Sequence, residues 1–190
     1  MQGIGNNGII LACNNRSTNC ADNDYYATDP IAVEKLLKKF AFHKEIWEPA
    51  CGEGHISKVL EAHGYDVIST DLIYRGYGEK EPYDFLTSDE CDLREDIITN
   101  PPYKRTIEFL EKALSMIVDK QYVALLLKIT FLSGKTRHEF YKKNPPKQIY
   151  VFSDRIECAK NGIFEGKKAV DYIWAIWEKG YEGPTYLDWI

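Results

Sequence analysis

Long hydrophobic runs are missing from this chain of 190 residues. Nothing approaches the roughly 18 consecutive apolar residues that a membrane-spanning helix needs. The N-terminus has no basic start, and its apolar run "GIILA" is too short for a secretory signal. No membrane association is expected, and the chain reads as cytoplasmic. Cysteine is sparse: five residues, at 13, 20, 51, 91 and 158, an odd number without a Cys-x-x-Cys pair. That argues against a disulfide framework and a cysteine zinc site. The four histidines, at 43, 55, 63 and 138, form no His-Glu-x-x-His arrangement, so no metal is expected.

Two phosphate-binding signatures are absent as well. "SGKT" at 133–136 ends like a Walker loop, but the glycine required five positions before Gly134 is Ile129. The turn Cys-Gly-Glu-Gly-His-Ile at 51–56 is not Gly-x-Gly-x-x-Gly. It also sets Glu48 and Glu53 where a pyrophosphate needs donors and no negative charge. A dinucleotide oxidoreductase is therefore disfavoured, and an acidic turn suits a cationic ligand.

What is present is an ordinary globular composition, 44% apolar and 28% charged, enough for one domain with a substantial core. The net charge of −5 argues against nonspecific attraction to a polyanion, but it hides an asymmetry. Residues 45–100 carry 14 acidic and 4 basic side chains, whereas residues 133–168 carry 9 basic and 4 acidic. A basic second half can hold phosphates; two solvated faces of opposite sign account for the same numbers.

Residues 1–24, rich in Asn and Gly and without periodicity, read as a loose arm; residues 25–190 read as a single domain. A helix is expected from Asp29-Pro30, with Val33, Leu36, Leu37 and Phe40 on one face. "EIWEPA" reads as a strand. Ile56, Val59 and Leu60 mark a helix stopped by Gly64. "YDVISTD" and a short "PYDFL" are the next strands, and "DIITN" the fourth. Ile107, Leu110, Leu114 and Ile117 stripe a third helix. "YVALLLKI" is a strand covered on both faces. "TFLSGKTRHEFYKK" is loop and helix, ended by Pro145-Pro146. "QIYVFS" and "YIWAIW" are the last strands, and no helical pattern separates them, so one runs antiparallel. The alternation predicts an α/β fold with a doubly wound, mostly parallel seven-stranded sheet.

In such sheets ligands bind beyond the carboxyl ends of the strands. There the turn "EPACGEG", Glu48 to Gly54, lets the backbone approach a ligand closely. Asp71 is placed to accept from two ribose hydroxyls. Asp84 and Phe85 can meet the edge and face of an adenine. The fourth strand runs into "NPPY". Its prolines stiffen the corner and push the preceding residues into extended geometry. The Asn100 side-chain oxygen and the Pro101 carbonyl then form a rigid acceptor pair. Such a pair suits the two N–H bonds of a planar amino group and would localise its lone pair for attack on a methyl donor. Tyr103 offers a ring for a flipped base.

This ordered set resembles the class I S-adenosylmethionine-dependent methyltransferases, specifically the DNA adenine-N6 enzymes with the gamma order of motifs. "EPACGEG" is similar to the family's glycine turn and "NPPY" to its catalytic tetrad. "YYATDP" at 25–30 is similar to its aromatic-x-Thr-Pro element, with Asp29 inserted. The resemblance runs from about Tyr25 to Gly180. "DRIECAKNGIF" and "WEKG" resemble the short forms encoded by phages and prophages.

The resemblance implies S-adenosylmethionine as cofactor and DNA, or RNA, as partner. It implies that Glu48, Cys51, Gly52 and Gly54 line the methionine portion, with Asp71 at the ribose and Asp84 and Phe85 at the adenine. Tyr26, Thr28, Ala50 and Leu72 complete the cofactor set; Asn100, Pro101, Pro102 and Tyr103 form the catalytic one. A late aromatic, Phe152 or Phe164, would pack on the flipped base.

No segment matches the family's separate target-recognition domain. The polar stretch 154–169, with Arg155, Lys160, Lys167 and Lys168, is the candidate nucleic-acid contact, beside Lys104 and Arg105. That implies a short target, or a homodimer or DNA-reading partner. The alternatives are an RNA adenine or protein glutamine methyltransferase, and a non-catalytic subunit that binds cofactor or nucleic acid.

Overall fold

In the computed structural model, which describes residues 25–166 and 168–190, the elements follow from short local signals. The arm expected over residues 1–24 lies outside the described residues. Chain order is β1 (Tyr26–Thr28), α1 (Ile31–Leu37), β2 (Glu45–Glu48), α2 (Ser57–Ala62), β3 (Asp66–Ser69), β4 (Asp96–Thr99) and α3 (Thr106–Met116). Then come β5 (Tyr122–Lys128), α4 (Lys135–Lys143), β6 (Gln148–Val151), β7 (Cys158–Lys160), β8 (Tyr172–Glu178) and β9 (Tyr186–Trp189). Asp29 caps α1: its Oδ1 accepts from the Ile31 N–H at 3.1 Å. Gly64, at φ +86°, closes α2 in a Schellman motif. The Tyr65 N–H donates to the Leu60 carbonyl and the Gly64 N–H to that of Glu61.

The sheet order is β3-β2-β4-β5-β8-β6-β9. β8 is antiparallel to both its neighbours, and every other pairing is parallel. This is the mostly parallel seven-stranded α/β sheet with one antiparallel strand, but its seventh strand differs from the expected one. "PYDFL" forms no strand. The Asp84 carboxylate accepts from the Leu86 N–H at 3.0 Å and its carbonyl from the Thr87 N–H, folding the segment into a turn. Phe85 goes into the core instead, stacked on Phe109 at 4.6 Å and edge-on to Trp47 at 5.3 Å. The seventh strand is β9, on the opposite edge, where Tyr186 and Trp189 are exposed and blur any apolar pattern.

Alternate residues of the central strands feed two apolar layers. Ala124 and Leu126 of β5 join α1 and α2 on one face; Val123, Leu125 and Leu127 join α3 on the other. The buried face of α3 is Thr106, Phe109, Leu110, Ala113 and Met116, rotated from the expected stripe; Ile107 and Leu114 lie at its margin. A second, two-stranded sheet was not expected. β1 pairs antiparallel with β7, Ala27 opposite Ala159. Each strand has three residues, too short to show a periodicity, and β7 lies inside the polar stretch 154–169. Among the described residues no helix is long and apolar enough to cross a membrane.

Candidate active site

From β2 the chain crosses to β3 on one side and returns to β4 on the other, so the strand order reverses between β2 and β4. An open α/β sheet leaves a crevice at such a point, beyond the carboxyl ends of the strands. A cavity of about 500 Å³ lies there, with Glu48 from the end of β2 and Asn100 from the end of β4 in its wall.

Asn100 is held from outside its own sheet. Its Nδ2 donates to the Tyr26 carbonyl and to Thr28 Oγ1, both at 3.1 Å. A backbone carbonyl only accepts, so this contact assigns the amide orientation. The Asn100 Oδ1 is left buried without a hydrogen-bond partner. Pro101 is buried and does not line the cavity, and no hydrogen bond among the described residues ends on its carbonyl. Pro102 lines the cavity; its carbonyl accepts from the Arg105 N–H at 3.0 Å. Tyr103 does not line it: its ring lies 5.6 Å from that of Tyr26, with Lys128 Nζ 4.6 Å from its centroid. Burial, then Cys158 and Tyr172, hold the Tyr103 phenol well above its usual pKa.

The glycine turn closes the other wall. Gly52 and Gly54 have φ of +56° and +78°, in the left-handed region. A Cβ on Gly52 would come within 2.4 Å of the Tyr25 ring, so the turn and that ring are in contact. Neither glycine lines the cavity, whereas Ala50 and Cys51 do. Glu48 is fully buried, and its Oε2 accepts from the Ser57 N–H at 2.9 Å and from the Ser57 hydroxyl. Burial outweighs those bonds and raises its pKa to about 8. Burial, with Glu48 and Asp71 nearby, pushes the Cys51 thiol to about 12, so it is not a nucleophile at neutral pH.

Asp71 ties two loops to the site. Its Oδ2 accepts from the Gly52 N–H at 2.8 Å and its Oδ1 from the Ile73 N–H at 2.9 Å. A carboxylate has about four lone-pair sites, which leaves capacity for a diol. Leu72, Asp84 and Phe85 also line the cavity, with Tyr26 and Thr28 of β1 opposite.

The basic candidates are dispersed. Lys104 and Arg105 line the cavity, and Arg105 is paired with Glu108 at 2.6 Å. Arg155 pairs with Asp171 at 2.7 Å, Lys160 lies on β7 opposite Tyr26, and Phe164 sits against His55 at 5.6 Å. Phe152 is buried in the core and Lys168 is exposed. Lys167 lies outside the described residues.

Sequence reasoning missed Tyr25, His55, Arg75 and Tyr83, all in the cavity wall. Tyr25 opens "YYATDP", His55 follows the glycine turn and Tyr83 precedes Asp84, but those motifs single out none of the three; Arg75 stands in the loop "YRGYG" after Asp71. Six buried side-chain polar atoms lack a hydrogen-bond partner among the described residues. Four of them, on Tyr25, Arg75, Tyr83 and Asn100, belong to residues of this one cavity. Buried polar atoms in folded proteins are normally satisfied, so this concentration marks a place built for a polar ligand.

No family model matches the sequence, and no curated protein matches it. Solved structures share the fold. A candidate class I S-adenosylmethionine-dependent methyltransferase from Listeria monocytogenes superposes with a TM-score of 0.57 at 17% identity, over 84% of this chain and 63% of that one. A predicted O-methyltransferase from Agrobacterium tumefaciens gives 0.59 at 12% identity, over 85% and 84%. A candidate RNA methyltransferase from Pyrococcus horikoshii gives 0.54 at 18%, over 78% and 84%. The chain has the Rossmann-like class I methyltransferase fold, and at these identities the likeness is one of fold.

Proposed function

We propose that this chain transfers a methyl group from S-adenosylmethionine to the exocyclic N6 amine of adenine in DNA, after flipping of the base. One observation carries the reading: Asn100 ends β4 with its amide nitrogen engaged by β1 and its Oδ1 buried and unpartnered at the cavity. Such an oxygen has one role open to it, accepting a hydrogen bond from a ligand. The carbonyl of Pro101, which no hydrogen bond among the described residues takes up, would be the second acceptor once a base reaches the corner, since Pro101 itself lies behind the cavity wall. Two acceptors on an aromatic amine's two N–H bonds hold its lone pair towards an electrophile, and they need no reorganisation as the reaction proceeds.

The cavity fits the cofactor in size and in charge. Its wall mixes apolar residues with carboxylates and a guanidinium, as an adenosine bearing a zwitterionic amino acid requires. Asp71 would hold the ribose, Glu48 and Cys51 the methionine end, and Phe85 with Asp84 the adenine. Bound there, S-adenosylmethionine supplies an electrophilic methyl on a sulfonium. The protein supplies position and fixed dipoles. Lys104 at the cavity and Lys160 on β7 would meet phosphates.

The test is incubation of the full chain with labelled S-adenosylmethionine and separate DNA, RNA and protein acceptors. Label should appear in DNA and be recovered as N6-methyladenine after hydrolysis. Asn100→Ala should lower the rate by about 10²–10³-fold while leaving cofactor affinity near normal. Label confined to RNA or to protein, or full turnover by Asn100→Ala, overturns the reading.

A further inference from the structure

Two of the unpartnered buried atoms in the cavity wall lie on side chains that touch each other. The Arg75 guanidinium stacks over the Tyr25 ring, 4.5 Å from its centroid, and Arg75 Nε and Tyr25 Oη are both buried without hydrogen-bond partners. No hydrogen bond or ion pair among the described residues takes up the Arg75 side chain. An arginine keeps its charge and carries only donors. It is half-buried in a wall that also holds Glu48, Asp71 and Asp84, yet no carboxylate among the described residues pairs with it.

Both residues are fixed by their backbones. The loop bearing Arg75 is tied at one end by the Ile73 N–H donating to Asp71 Oδ1 at 2.9 Å. At the other end the Glu79 N–H donates to the Ser69 carbonyl at 2.9 Å. Tyr25 is held through its carbonyl, which accepts from the Asn161 N–H at 3.1 Å, and its ring rests on Gly52. Arg75 lies over the Tyr25 ring and that ring rests on Gly52, so the guanidinium stands beside the glycine turn, where its charge opposes the rise in the pKa values of Tyr25 and Cys51. Burial and Glu53 push the Tyr25 phenol up to about 12, which keeps it a hydrogen-bond donor.

We infer that Arg75 and Tyr25 form a clamp for the α-carboxylate of the cofactor's amino-acid end. This rests on the cofactor reading above and deepens it. A carboxylate offers two acceptor-only oxygens, enough to satisfy the Arg75 N–H groups and the Tyr25 hydroxyl together. Its place beside the glycine turn matches the methionine end of the reading above. A phosphate of the nucleic acid is the other anion such a fork accepts, and the test separates the two.

Calorimetry would compare S-adenosylhomocysteine with its decarboxylated form, on the wild type, Arg75→Gln and Tyr25→Phe. The wild type should prefer the carboxylate-bearing compound by roughly 10- to 100-fold, as hydrogen bonds to a charged group predict. Arg75→Gln should abolish that preference, weakening the first compound and changing the second by less than about twofold. Tyr25→Phe, which keeps the ring against Gly52, should reduce the preference in part. Equal weakening of both compounds, or no preference in the wild type, overturns the clamp while leaving the cofactor reading intact. So does an Arg75→Gln variant that binds both normally but loses affinity for a DNA duplex. If the wild type binds neither compound, the cofactor reading fails and the clamp fails with it.

Discussion

Glu48 and Asn100 end two neighbouring parallel strands, and each is held by a residue outside its strand. For Glu48 the partner is Ser57 at the start of α2, and the result is a buried carboxyl whose pKa is raised from 4.5 to about 8. The folded chain therefore keeps a proton that the unfolded chain releases near pH 4.5. This contribution to stability is complete below pH 4.5 and is lost progressively as pH rises to about 8, with a slope of at most about 1.4 kcal/mol per pH unit. Glu48→Gln keeps the acceptor for Ser57 and removes the titration. Urea unfolding at pH 5, 6.5 and 8 should show the variant gaining on the wild type as pH rises. A constant difference across the three would mean that Glu48 is ionised in the folded chain.

At the scale of elements, the glycine turn and the α2 stop separate backbone preference from steric contact. Gly52 and Gly64 have φ of +56° and +86°, so alanine strains either one by about 1–2 kcal/mol. Nothing lies within 4 Å of a Cβ on Gly64, whereas one on Gly52 meets the Tyr25 ring. Gly64→Ala should lower the unfolding free energy by that amount and leave ligand affinity unchanged. Gly52→Ala should cost more and weaken S-adenosylhomocysteine binding as well, because Tyr25 must move. Chemical denaturation with calorimetry on both variants checks this; equal losses in both would mean that Tyr25 does not rest on the turn. The pairing of β1 with β7 belongs to the same scale, since it carries Tyr26 and Thr28 to Asn100 and ties the polar stretch to the Asn-Pro-Pro-Tyr corner.

For the whole molecule, three of the nine basic side chains of residues 133–168 are spent on ion pairs within the fold. Lys142 pairs with Glu139, Lys147 with Glu178, and Arg155 with Asp171. The bare charge asymmetry therefore overstates the phosphate-binding surface. The cavity draws its wall from β1, the ends of β2 and β4, and the loops after β3, so a ligand filling it ties these parts together. A ligand that binds only the folded chain adds about 2.7 kcal/mol at 100 times its dissociation constant. S-adenosylhomocysteine at that excess should raise the melting temperature by about 5–10 °C. No shift at a concentration shown by calorimetry to saturate the site would mean that unfolding does not begin from the liganded fold.

The sequence by itself determined the alternation of strands and helices, the sheet class and the strand-end positions of Glu48, Asp71 and Asn100. These are local signals: an apolar run, a turn residue and a polar side chain just beyond it. Only the tertiary structure decided that "PYDFL" turns into the core and that β9 completes the sheet. Burial of Phe85 between Trp47 and Phe109 depends on chain segments far away in sequence. It also decided, through β1, that the amide oxygen of Asn100 and not its nitrogen is left open, and that Arg75 stacks on Tyr25 beside the glycine turn. Each of those is a contact between distant residues, and neither spacing nor periodicity along a single chain encodes such a contact.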